Sequence, residues 1–97
     1  MFLCVHHDGA AMLAARFSPW WELTSPDTAI FDAARVERLL GSAEQIAQAV
    51  WEQSGRQAHV ALAAIPDAAL LAAHNFAGVT IIRDAAGELA ELGLESL

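Results

Sequence analysis

Any chemistry in this chain must come from a short list of side chains. Val5-His6-His7-Asp8 sets imidazoles beside a carboxylate, and Ser25-Pro26-Asp27-Thr28 sets a carboxylate among hydroxyls. Imidazole suits zinc and other borderline metals, while carboxylate oxygens suit magnesium. Successive strand residues point to opposite faces, however, so His6 and His7 cannot both reach one ion from a regular strand. There is no further Cys/His cluster to complete a zinc site. The residues by themselves therefore give His6, His7 and Asp8 a structural or solvent-facing role, and Asp27 the role of a turn acid. Cys4 is the one cysteine and lies in the apolar run Phe2 to Val5. It is expected to be a buried thiol, with no internal disulfide and a reducing, cytoplasmic setting.

The elements that must position these residues follow from pattern. Phe2 to His7 reads as a first strand, Asp8-Gly9 as a turn, and Ala10 to Arg16 as a short helix broken by Ser18-Pro19. Trp20 to Leu23 and Thr28 to Phe31 should pair as a hairpin about the turn Thr24-Ser25-Pro26-Asp27. Asp32 caps a helical segment from Ala33 to Leu40, interrupted by Gly41. Ser42 and Gln45 form a capping box that restarts a helix. That helix sets Ile46 and Val50 on one face and stops at Ser54-Gly55. His59 to Ile65 reads as a strand. Pro66 opens a helix to about Asn75 that shows Leu70 and Leu71 to the core. Val79 to Ile82 is the last strand, and Glu88 to Leu97 a helical or irregular tail. This order predicts an α+β fold as a single domain over residues 1–97. It is a mixed, mainly antiparallel sheet with helices on one face, close to a ferredoxin-like arrangement.

Composition narrows the partners. The chain has 97 residues, 56% of them hydrophobic, which places it among globular rather than disordered chains. Twelve acids against five arginines and no lysine give a net charge of −7. Nucleic-acid binders draw their affinity from cations that neutralise phosphates, so weak or no autonomous DNA binding is expected. The N-terminus lacks a basic signal-peptide region, and no apolar run reaches the length of a membrane helix. Trp20 and Trp21 should send one ring to each face of the hairpin, and Trp51 lies on the long helix. These three tryptophans are candidates for an interaction surface.

The stretch from FSPWWELTSPDTAIFDAARVERLLGSAEQIAQAV to HVALAAIPDAALLAAHNFAGVTII resembles the palm of a Y-family translesion DNA polymerase, closest to the catalytically inactive ImuB-type branch. Such a palm joins nucleotides with two magnesium ions held by carboxylates. Resemblance aligns Val5-His6-His7-Asp8 with the family's V-D-x-D pattern and Ser25-Pro26-Asp27-Thr28 with its S-x-D-E pattern. His6 then stands in place of an Asp and Thr28 in place of a Glu, leaving Asp27 as the surviving carboxylate. The family's triphosphate-binding Lys falls at about Asn75. Only Gly9 to Phe17 spans the place of the fingers, and thumb and little finger are not expected within these residues.

The resemblance implies a non-catalytic DNA-repair or damage-tolerance protein of the SOS type, with no cofactor. It would act as an interaction module for a polymerase subunit, the sliding clamp or another repair protein. A metal-dependent hydrolase or nucleotidyl enzyme rebuilt on His6, Asp8 and Asp27, with His7 beside them, is an alternative expectation. A self-associating module, two chains packing open sheet faces as a symmetric homodimer, is another.

Overall fold

The composition of the first strand fixes its place in the sheet. β1 (Phe2–His6) carries Leu3, Cys4 and Val5, all fully buried. A strand apolar on both faces belongs in the middle of a sheet covered on both sides. The computed structural model, which describes residues 1–82, has β1 between two antiparallel neighbours, β3 (Thr28–Asp32) and β4 (His59–Ala63). β2 (Trp21–Ser25) adds antiparallel outside β3, and β5 (Gly78–Ile82) adds parallel outside β4. The result is a small α+β domain on a five-stranded mixed sheet of order β2-β3-β1-β4-β5. The expected tail from Glu88 to Leu97 lies outside the described residues.

Local signals account for most helix ends. α1 (Ala10–Ala15) follows Gly9, whose φ of 80° is readily adopted only without a Cβ. α3 (Ala43–Gln53) begins with the expected capping box: Ser42 Oγ accepts from Gln45 N at 3.2 Å, and Gln45 Oε1 accepts from Ser42 N at 2.9 Å. A cap of this kind stabilises a helix by about 1 kcal/mol. α4 (Pro66–Asn75) starts with Pro66 in its first turn, where the missing N–H costs no hydrogen bond.

Three expectations need correction. The segment from Ala33 to Leu40 is a 3₁₀ turn (Ala33–Arg35) and a single α turn, α2 (Glu37–Leu40), rather than one helix. Val36 stands between them at φ −119°, with its side chain buried in the core. β2 starts at Trp21, so Trp20 precedes the strand and does not take part in its alternation.

The third correction concerns the layers. Alternation along β1 sorts the core in two, with Leu3 and Val5 facing α1 and α3, and Cys4 facing α4. Helices therefore cover both faces of the sheet, not one. α4 makes this cover with Ala68, Ala69, Ala72 and Ala73, all fully buried, while Leu70 and Leu71 stay only half-buried. The two strands it meets most are small-sided at Cys4, Ala61 and Ala63, with the larger Ile82 of β5 beside them. Methyl groups meeting methyl groups let the helix come close, and the parallel β4–β5 pair requires a crossover of this sort.

Candidate functional site

Three imidazoles meet at one end of the sheet, on the α4 face. His6 is the last residue of β1 and His59 the first of β4, and the antiparallel register sets them opposite each other. Their rings lie edge to face with centroids 5.7 Å apart. His74, in the last turn of α4, stacks on His6 at 4.6 Å. Thr28 opens β3 opposite His6 on the other side and is fully buried.

The Thr28 hydroxyl links the group. It donates to Asp27 Oδ1 at 3.2 Å and lies 3.0 Å from His6 Nδ1 and 3.5 Å from His74 Nε2. With that proton directed at Asp27, His6 Nδ1–H is the donor to Thr28. A carbonyl can only accept, so His59 Nδ1–H donates to Ala73 O at 2.9 Å, which fixes its tautomer and orientation. Asp27 also accepts from Ser25 Oγ at 2.8 Å and lies 3.7 Å from His6 Nδ1. The Ser25 hydrogen bond above all, with Thr28 and His6 adding to it against some desolvation, holds the Asp27 carboxyl below the usual carboxylate range. The array sets one imidazole, His6, beside a single carboxylate, with His74 and His59 packed on His6. Among the described residues, no group of three or more His, Cys, Asp and Glu side chains is placed to hold a metal ion.

The structure brings together part of the set singled out from sequence. His6 and Asp27 meet, whereas Asp8 is exposed and lines a separate cleft of about 210 Å³ with His7, Met12 and Arg16. His7 joins the site only through its backbone, its N–H donating to Asp27 O at 2.8 Å and so tying the hairpin turn to the end of β1. Asn75 ends α4, where its side chain donates back to Leu71 O. His59 and His74 were not foreseen as partners of His6. The signal for His59 was available: antiparallel pairing of β1 with β4 brings the end of one strand against the start of the other.

The tryptophans divide by burial. Trp21 and Trp51 are half-buried and pack against the core on the α1–α3 side. Trp51 Nε1 is buried without a hydrogen-bond partner among the described residues, and the Arg56 guanidinium lies 5.5 Å from its ring centroid. Trp20 is 55% exposed; its backbone N–H donates to Ser18 Oγ, and Arg35 lies 5.4 Å from the ring. No helix among the described residues is long and apolar enough to cross a membrane. No family model, curated protein or solved structure matches the chain.

Proposed function

We propose that the chain is a non-catalytic, palm-like domain of the Y-family polymerase kind, serving DNA repair or damage tolerance as a protein-interaction module. One observation carries this reading. Positions 6, 27 and 28, which the resemblance aligns with the magnesium-binding carboxylates, lie side by side, yet they hold an imidazole, a carboxylate and a hydroxyl. The run β2-β3-β1-β4 has the strand order of a ferredoxin-like sheet, with β5 added beyond β4, and this supports the kinship.

The chemistry supports the loss of catalysis. Two-metal phosphoryl transfer needs several anionic oxygens to compensate the ions and fix their spacing. Here Asp27 is the lone carboxylate, and its Oδ1 is already engaged by Ser25, Thr28 and His6. Imidazole is a poor substitute, because magnesium prefers oxygen ligands.

Affinity capture of the tagged full chain from cells under DNA damage tests the function. Enrichment of a polymerase subunit, the sliding clamp or a recombinase-like accessory is the expected result. Recovery of none of these from damaged cells would count against the reading.

A further inference from the structure

Beside β2, the sheet opens into a groove of about 560 Å³. Its apolar lining includes Phe2, Trp20 and Ile30, and its charged lining is Glu22, Asp32 and Arg35. Register sets Glu22 opposite Ile30 and Asp32 opposite Phe2, so these four side chains share one face of the sheet. α4 packs on β1, β4 and β5 and leaves this end of the face open. Arg35 sits over the Trp20 ring, and Asp32 is occupied in capping Ala34 N. Glu22 is exposed and has no hydrogen-bond or ion-pair partner among the described residues.

The groove runs along an unpaired strand. Among the described residues β2 ends the sheet, so its outer backbone donors and acceptors meet no neighbouring strand there. An edge of this kind is a template for strand addition unless it is blocked, and a lysine is a common block. β2 carries a single charge, Glu22, and its bulge falls between Leu23 and Ser25 at the far end, so the stretch from Trp21 to Leu23 beside the groove is the part open to pairing. Leu23 is 49% exposed on the opposite face, and Trp20 stands just before the strand.

We propose that β2 and its groove take up an extended, basic segment of a partner protein, which adds to the sheet as a sixth strand. This rests on the interaction-module reading and names the surface that module uses. Backbone hydrogen bonds to β2 supply affinity, and alternate side chains supply selection. A Lys or Arg side chain on the groove face pairs with Glu22, the acid there that neither caps a helix nor meets the N-terminal ammonium as Asp32 does, while apolar ones reach Trp20 on that face or Leu23 on the other. Charge selects this occupant over others. Phosphates are repelled by a chain of net charge −7, and a second copy would bring the same carboxylates together.

The test uses the full chain and a fluorescent peptide of alternating Lys and Val, about eight residues long to match a strand and its flanks. Saturable binding in the micromolar range is expected, read by anisotropy. Glu22→Lys should weaken it about tenfold, and Trp20→Ala should weaken it as well. Methylating alternate backbone nitrogens of the peptide should abolish it, because those N–H groups make the ladder. Glu52→Lys on α3, which covers the opposite face of the sheet, should leave binding unchanged.

Equal binding of the methylated peptide, insensitivity to Glu22→Lys, preference for an alternating Glu-Val peptide or for single-stranded oligothymidylate, or no saturation by about 1 mM would each overturn the proposal. The two readings fail separately. A repair protein captured equally well by the Glu22→Lys chain removes this surface and keeps the function. Peptide binding without any captured repair protein does the reverse.

Discussion

His6 Nδ1 lies 3.0 Å from Thr28 Oγ1 across the β1–β3 ladder, and that same hydroxyl donates to Asp27. The contact joins two positions where the resemblance would place acids. In a magnesium site these side chains would repel one another until the metal arrived. Here an imidazole, a hydroxyl and one carboxylate satisfy each other directly, so the site is held together without an ion.

Thr28 should therefore act as a structural hub. Thr28→Val keeps the shape and removes the hydroxyl, leaving His6 Nδ1 without its acceptor in a partly buried site. A loss of about 1–2 kcal/mol is expected. Urea unfolding checks it, with a lower midpoint and an unchanged slope showing that stability alone has moved.

The acid limb of stability should depend on Asp27. Its folded carboxyl is held below the usual range, first by Ser25, so its contribution is present above the unfolded value and fades as pH falls through the folded one. Ser25→Ala removes the leading cause and should move the Asp27 titration up toward the ordinary carboxylate value. Carboxyl NMR against pH reads the shift directly. An unmoved titration would show that Ser25 is not its source.

The inner face of α4 is built from fully buried alanines. Ala72 is fully buried on the cluster that includes Cys4, Ala61 and Ala63. Ala72→Leu should cost about 1–3 kcal/mol through overpacking, whereas the same change at exposed Ala64 should cost much less. Thermal melts of the pair separate the effects.

Cys4 should be chemically silent in the folded chain. Burial pushes its thiol up to about 12, which keeps it neutral at ordinary pH. The thiolate is the reactive form, so labelling by a thiol reagent at pH 8 should wait for unfolding. The labelling rate should rise with denaturant in step with the fraction unfolded. As pH climbs above the free-thiol value of 9.0, the unfolded state ionises first, and stability declines from there toward about 12.

Elements with local chemistry were legible in the sequence. Ser42 with Gln45, and Pro66, act through neighbours a few residues away and stand where pattern put them, whereas the expected turn Thr24-Ser25-Pro26-Asp27 narrows to Pro26-Asp27 because Thr24 and Ser25 continue β2. The layer assignment of α4 was not legible. Leucine outranks alanine in any hydrophobic count, yet the fully buried face of α4 is the alanine one; Leu70 packs at the margin of that cluster, half-buried, and Leu71 is half-buried as well.

The site was half legible for a related reason. His6 and Asp27 were singled out by spacing, but His59 and His74 reach His6 only through strand register and the end of a crossover helix. Those are long-range pairings, and no local pattern records them. Asp8 illustrates the converse: it stands two residues from His6 in sequence, yet it lines another cleft.

Under the proposed reading, positions 6, 27 and 28 do not hold the ions that a polymerase palm would bind there. Calorimetric titration of the full chain with Mg²⁺ and Mn²⁺ tests it most directly. No saturable heat up to about 1 mM of either ion is expected. A dissociation constant below about 0.1 mM that disappears in Asp27→Asn would contradict the claim, because the surviving carboxylate would then still be gripping a cation.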